Sequence, residues 1–267
     1  MNKLVIFDLD GVLIDSRDMH YDALNRALAK VDEKYVITRE EHLSVFDGLP
    51  TTRKLELLTE KKGLPVVEYD TIWQDKQTAT LDIFSELKPD YELMHYFQQL
   101  KEKGYSIAVA SNSVRNTVKL VLLRLGLLEF VHYHLSNEDV FRSKPFPEMY
   151  WRCMIACNAL PKDTVIFEDS HIGRQGALDS GSHLIAIEDR PDLTQSKIDK
   201  VFEIFETKKV THIPWKSEKM NVLIPMAGAG SRFVQVGYSF PKPLIEVNGK
   251  PMIQVVLENL NIEANFT

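Results

Sequence analysis

The sequence predicts an α/β protein: a parallel sheet core flanked by helices, a small helical domain inserted after the first strand, and a fragment of a second α/β domain at the C-terminal end. Three observations carry this. Short apolar runs at 3–7, 105–110, 131–135, 164–167 and 183–187 alternate with helix-patterned stretches, as in successive βαβ units. Residues 16–87 have a helical pattern broken at Gly48-Leu49-Pro50 and Gly63-Leu64-Pro65, with no strand run among them. A fresh strand and glycine loop begin at Asn221, after a polar stretch with Pro214 and several lysines. The expected domains are therefore 1–15 with 88–205 as the core, 16–87 as the helical insert, 206–219 as a linker, and 220–267 as an incomplete second domain.

In chain order, Lys3-Leu4-Val5-Ile6-Phe7 is a short, partly β-branched run closed by Asp8-Leu9-Asp10-Gly11, which is the pattern of a buried strand. Asp15-Ser16 is placed to cap a helix over 17–30, with Met19, Ala23, Ala27 and Leu28 on its apolar side. The strand at 105–110 ends in Ser111-Asn112-Ser113, and a helix over 114–125 stops at Gly126. A weaker strand follows near 131–135, then a helix over 149–159. The strand at 164–167 ends in Glu168-Asp169-Ser170, and another helix runs on to about Ser180-Gly181. In open parallel sheets, sites form at the carboxyl ends of strands. The polar residues at those ends are therefore expected to converge.

The composition excludes several classes. Of 267 residues, 44% are hydrophobic and 26% charged, which is ordinary for a globular chain with a core. Twelve glycines and twelve prolines argue against a collagenous or largely disordered chain. No apolar run approaches the roughly 20 residues of a membrane span, and the first apolar run is too short for a signal peptide. A net charge of −6 disfavours general nucleic-acid binding. Cys153 and Cys157 are too few for a disulfide framework. The expectation is a cytoplasmic protein with no nucleic-acid or membrane partner. The sequence does not set its oligomeric state.

The strand ends define the candidate chemistry. Asp8 and Asp10 are two apart, a spacing that puts strand side chains on one side. Glu168 and Asp169 would join them from a neighbouring strand. A like-charged pair about 4 Å apart repels by on the order of 4 kcal/mol at an effective dielectric of about 20. Such a cluster needs protonation or a cation, and Mg²⁺ suits a few carboxylates together with phosphate and water. Ser111 offers a hydroxyl, Asn112 a backbone N–H, and Lys144 a point charge for phosphate. The set fits phosphoryl transfer, with one aspartate attacking phosphorus and the other serving as acid and base.

Phe7-Asp8-Leu9-Asp10-Gly11-Val12-Leu13-Ile14-Asp15-Ser16 resembles the first motif of the haloacid dehalogenase superfamily. Ala110-Ser111-Asn112-Ser113 resembles its second, Ser143-Lys144-Pro145 its third, and Phe167-Glu168-Asp169-Ser170, with Gly173 and Ala177 beyond, its fourth. The motifs occur in order over roughly residues 3–190, and the aspartate at the +2 position resembles the phosphotransferase branch. The insert resembles the small helical cap of the phosphoglycolate phosphatase and β-phosphoglucomutase subgroup. The resemblance implies a Rossmann-like core and a Mg²⁺-dependent phosphatase acting on a small phosphorylated metabolite. By that resemblance Asp8 is nucleophile and metal ligand, and Asp10 is the acid/base that lends its carbonyl to the metal. Asp169 and Glu168 complete the metal ligands, and Ser111, Asn112 and Lys144 hold the phosphate. A sugar phosphate mutase is the alternative, and a non-catalytic phosphate-binding module ranks below both.

Each assignment has a plainer rival. Asp8 and Asp10 could form a solvated turn, Ser111-Asn112 a helix N-cap, Lys144 a surface charge and Glu168 a capping acid. His20 matches a cap-hinge position of the subgroup, but a helix residue with a local partner is the preferred reading. Arg53 and Lys76, in the insert, could meet an anionic group of the substrate, yet surface charge is preferred for both. His132 and His134 are read as structural. Cys153 and Cys157 lack further ligands for zinc.

In the last segment, Val222-Leu223-Ile224-Pro225-Met226-Ala227-Gly228-Ala229-Gly230-Ser231-Arg232 and Pro241-Lys242-Pro243 resemble the beginning of sugar-phosphate nucleotidyltransferases. The resemblance implies that Gly228, Gly230, Arg232 and Lys242 would hold a nucleoside triphosphate. Residues 220–267 are too short to bury an adequate core. The expectation is a truncated remnant without nucleotidyltransferase activity.

Overall fold

The computed structural model describes residues 2–46 and 49–206 and, beyond them, the backbone of four short strands within 220–266. The chain divides into two compact units, Met1–Thr207 and Lys208–Thr267.

The first unit is built on five parallel strands: β1 (Asn2–Phe7), β2 (Ser106–Ala110), β3 (Tyr133–Leu135), β4 (Ala159–Glu168) and β5 (His183–Ala186). Their order is β3-β2-β1-β4-β5, so β1 is central and the winding direction reverses beside it. That reversal opens a crevice at the carboxyl end of β1. The register is continuous there: Phe7 pairs with Val109 on one side and with Phe167 on the other.

Alternation along the strands separates two apolar layers. Val5, Phe7, Ile107, Val109, Val165 and Phe167 face one layer, and Leu4, Ile6, Ala108, Ala110 and Ile166 face the other. Helices α5 (Tyr91–Glu102), α6 (Arg115–Arg124) and α9 (Gln195–Glu206) cover the first with Phe97, Val121 and Val201 among their buried residues. Helices α7 (Glu148–Ala156) and α8 (His171–Asp179) cover the second, using Met149, Tyr150, Cys153 and Ala177.

Between β1 and β2, residues 16–87 contain no strand among the described residues. They form α1 (Arg17–Val31), the short α2 (Arg39–Glu41), α3 (Thr51–Lys62) and α4 (Tyr69–Ser85). These helices share an apolar cluster of their own, including Leu24, Leu28, Phe46, Leu58 and Ile72. Gly63 ends α3 in a left-handed conformation (φ 70°), which explains the break seen there in the sequence. The two connections to the sheet lie side by side, because Leu13–Asp15 and Leu87–Asp90 line one open cavity.

The structure corrects three local expectations. Helix α7 stops at Ala156 rather than near 159: Asn158 takes a positive φ of 52°, and the chain is already β4 from Ala159. Ser16 precedes α1 without a side-chain capping bond. Neither Ser111 nor Asn112 caps α6, since Val114 holds the N-cap position and the Glu138 carboxylate accepts from the Arg115 N–H instead.

In the second unit, Met220–Val222 pairs in parallel with Ala264–Phe266, and Glu246–Val247 pairs antiparallel with Lys250–Pro251. The rest of the strand expected at 221–225, the linker beyond residue 206, and Gly228, Gly230, Arg232 and Lys242 lie outside the described residues, as does Gly48 in the insert. Among the described residues no helix is long and apolar enough to cross a membrane.

Phe7 anchors the central strand. Its ring is fully buried and stacked between Phe97 and Phe167 at centroid distances of 4.8 and 4.7 Å. Phe7→Ala is expected to cost about 3–5 kcal/mol of folding stability. Urea unfolding tests this, and a loss below about 1 kcal/mol would mean that the ring is not the keystone described.

Candidate active site

The site is assembled where β1, β2 and β4 end. Asp8 follows β1 directly and its N–H donates to the Phe167 carbonyl (3.0 Å), which ties it to β4. Glu168 is the last residue of β4, and strand alternation carries it to the side covered by α7 and α8. Lys144 arrives from the loop before α7. Its backbone N–H donates to Asn112 Oδ1 (3.2 Å), so the side chain of Asn112 joins the loop after β2 to the loop carrying the lysine.

Lys144 is almost fully enclosed, and all three of its N–H bonds are engaged. They go to Asp8 Oδ1 (2.5 Å), Glu168 Oε1 (2.5 Å) and the Ala110 carbonyl (2.8 Å). Glu168 is wholly buried and also accepts from the Tyr150 hydroxyl (2.6 Å) at Oε1 and from Ser170 Oγ (3.3 Å) at Oε2. Burial opposes a charge on Lys144, but the negative fields of Asp8 and Glu168 prevail and raise its pKa well above the usual lysine value. Asp8 is pushed well above the ordinary carboxylate range, first by burial and then by the charge of Glu168, with Lys144 pulling the other way.

Asp8, Glu168 and Asp169 each offer an oxygen within 4.8 Å of the others. Asp169 Oδ1 is buried with no hydrogen-bond partner. Burial, and then the charge of Glu168, raise the Asp169 pKa to about 6. Three carboxylates, one of them with an oxygen left unpartnered, outnumber the single lysine charge among them, and a small divalent cation of the Mg²⁺ type fits that donor set. Two glycines make the arrangement possible. Gly11 has a positive φ of 83°, and a Cβ there would strike the Asp169 carboxylate; a Cβ on Gly173 would strike that of Glu168.

Asp10 is not one of these three, but its charge acts on Asp8 and raises that pKa further. Both aspartates lie just past the end of β1, and Leu9 between them is buried in the same apolar layer as Val5 and Phe7, so the alternation of β1 runs on beyond its last residue. Asp10 Oδ1 is 3.2 Å from His20 Nε2, and its Oδ2 accepts from Ser113 Oγ (2.7 Å) and Ser111 Oγ (3.4 Å). Burial would raise its pKa, but hydrogen bonds from His20, Ser16 and Ser113 overcome this and hold it below the ordinary range. His20 thus reaches from α1 to Asp10, not to a partner on its own helix. Ser111 is fully buried and accepts from the Ser113 N–H (2.9 Å).

The insert residues divide. Arg53 is exposed and paired with Glu56 (2.7 Å) and Glu60 (3.6 Å). Lys76 is half-buried; burial, then the charge of Lys54, push its pKa down to about 8, with Asp10 acting in the opposite direction. His132 Nδ1 accepts from the Ile107 N–H (3.1 Å), and Cys153 and Cys157 are buried free thiols. Sequence reasoning missed Ser113 and Tyr150. Ser113 was within sight, two residues beyond Ser111. Tyr150 looked like one more apolar helix residue.

A parallel sheet that gathers three carboxylates, a buried lysine and a serine at its central strand ends places the protein among α/β enzymes whose chemistry sits at the carboxyl ends of the strands. A family model for haloacid dehalogenase-like hydrolases matches residues 5–187, and the chain belongs to that family. Among its relatives, a phosphorylated carbohydrates phosphatase of Thermotoga maritima is 28% identical over 183 residues, covering 67% of this chain and 82% of that protein. The pyrophosphatase PpaX of Bacillus mycoides is 24% identical over 191 residues, covering 68% and 82%. In fold, the crystal structure of β-phosphoglucomutase from Clostridium difficile matches with a TM-score of 0.62 at 19% identity, over 78% of this chain and all of that one.

The crowded carboxylates have a consequence for stability. Asp169 takes up its proton at about pH 6 when folded, against an ordinary value of 3.8. Between those values the folded chain binds more protons than the unfolded one, so this group's contribution falls as pH rises through the window and stays low above it. Without divalent cations, Asp169→Asn is expected to melt higher than the parent at pH 7, with the gap closing towards pH 4. Melting curves across that range check this, and a pH-independent gap contradicts it.

Proposed function

We propose that the protein is a Mg²⁺-dependent phosphatase that hydrolyses a small phosphorylated metabolite, a phosphosugar or similar compound, through an aspartyl-phosphate intermediate. The observation that carries this reading is the placement of Asp8: a buried carboxylate at the end of the central strand, touching Lys144 and grouped with Glu168 and Asp169. The Thermotoga relative, a phosphatase of phosphorylated carbohydrates by name, supports the substrate class.

In this reading Asp8, the Asp10 carbonyl, Glu168 and Asp169 hold the metal, which when bound offsets the charge between an anionic nucleophile and a phosphate dianion. Ser111, the Asn112 N–H and Lys144 hold the phosphate. An Asp8 carboxylate oxygen attacks phosphorus, the bond to the leaving oxygen breaks, and Asp10 supplies the proton that oxygen needs. Water then attacks the aspartyl-phosphate, Asp10 takes its proton, and Asp8 and inorganic phosphate are released. His20 and Ser113 hold Asp10 ionised, so acid duty requires it first to leave them and take up a proton from solvent, and each later turnover begins with the proton it takes from the attacking water. Helices α1 to α4 serve as the cap that closes over the substrate. A cytoplasmic location is part of the same reading. No nucleotidyltransferase activity is proposed for residues 220–267, despite the resemblance at Gly228, Gly230, Arg232 and Lys242.

A sugar phosphate mutase is the second reading, and Lys76 favours it. A mutase must hold a second phosphate in the cap, and Lys76 is a half-buried cation on α4 whose charge interacts with that of Asp10. Arg53 is engaged by Glu56 and Glu60.

Asp8→Asn is expected to remove essentially all phosphate release from an aryl phosphate while leaving the circular dichroism spectrum unchanged; near-parental turnover would reject Asp8 as nucleophile. The parent should release phosphate with Mg²⁺ and lose that activity in EDTA. Supplied with β-glucose 1-phosphate, it should yield free phosphate in excess of glucose 6-phosphate, and the opposite ratio would promote the mutase reading.

A further inference from the structure

We infer that Tyr150 is a positioning residue for the metal-binding carboxylates, acting through Glu168: its buried hydroxyl holds Oε1 of that residue independently of Lys144. The inference rests on the metal reading of the site.

The geometry gives Glu168 two different donors at one oxygen. Lys144 is charged and shared with Asp8 and the Ala110 carbonyl. Tyr150 is neutral and fixed by packing. Its side chain is fully buried on α7, its hydroxyl is 2.6 Å from Glu168 Oε1 and 3.2 Å from the Gly173 carbonyl, and its ring lies against α8 at Gly176, where an added Cβ would come within 3.2 Å of the ring. The shorter contact takes the single phenolic proton.

The difference matters because Lys144 has a second task in the proposed chemistry. When Lys144 turns towards a phosphate, Glu168 keeps only the Ser170 hydroxyl at 3.3 Å and whatever Tyr150 provides. A wholly buried carboxylate without adequate donors is costly, and it relaxes by turning away. That change removes a metal ligand. The phenol prevents this without adding the positive charge that would weaken the carboxylate's attraction for a cation. Partners that orient metal ligands commonly contribute about 10–100-fold to metal affinity.

Tyr150→Phe retains the ring and removes only the donor. By isothermal titration calorimetry, the full-length variant is expected to bind Mg²⁺ at least about tenfold more weakly than the parent. In the Glu168→Gln background the same substitution should change affinity less than about twofold, because the two residues act as one element. A residue that merely fills space would lower the melting temperature but leave Mg²⁺ affinity unchanged. Parent-like Mg²⁺ binding by Tyr150→Phe, or equal effects in the two backgrounds, would overturn the inference. Absence of Mg²⁺ binding by the parent would defeat the metal reading and this inference with it. Should Tyr150→Phe not fold, 3-fluorotyrosine at position 150 preserves ring and hydroxyl. Its ¹⁹F resonance should move with Mg²⁺ along the calorimetric isotherm, and an unmoved resonance at saturation counts against the role.

Discussion

The ammonium group of Lys144 is the counter-charge on which the arrangement depends. It sits between Asp8 and Glu168, two carboxylates that are themselves almost wholly buried. A buried pair broken on one side leaves an uncompensated charge, at a cost of about 3–5 kcal/mol. The lysine therefore settles more than local charge balance. Its side chain ties the loop before α7 to Asp8 and Glu168, and its backbone N–H ties the same loop to Asn112.

Around that contact the chain is shaped by exclusion as much as by attraction. Gly11 and Gly173 leave room for the carboxylates of Asp169 and Glu168, and Gly176 lets α8 approach the Pro145 carbonyl and the ring of Tyr150. The apolar layers follow from the same strands that deliver the acids. Even-numbered positions of β1 and β4 face α7 and α8, so Asp8 and Glu168 continue rows that begin with Leu4, Ile6 and Ile166. The polar site is thus the open end of a hydrophobic layer, and the stack of Phe97, Phe7 and Phe167 braces the same strands from the opposite face.

Much of this was legible in the sequence, because the signals are local. A short apolar run closed by polar residues marks a strand and its carboxyl end, and in a parallel sheet the ends must meet; Asp8, Lys144, Glu168 and Asp169 do so, and Ser111 reaches Asp10. Less legible were contacts that depend on tertiary approach. The donors around Asp10 come from α1 and from the loop after β2, an approach that periodicity does not fix. Tyr150 sits among Met149, Cys153 and Met154, so nothing in its neighbourhood advertises a hydroxyl aimed at an acid. The partner of His20 lies ten positions back, beyond the reach of helical spacing. The difference between Arg53 and Lys76 is one of burial, which the charge pattern does not reveal.

The full engagement of Lys144 also bears on affinity. An oxyanion that approached Lys144 would not meet a waiting cation; it would meet one whose three donors are already spoken for. Binding there is a substitution, and its strength is a difference between old and new contacts, not the sum of the new ones. The same engagement sets a threshold: an anion that cannot match a contact it displaces gains nothing from the lysine.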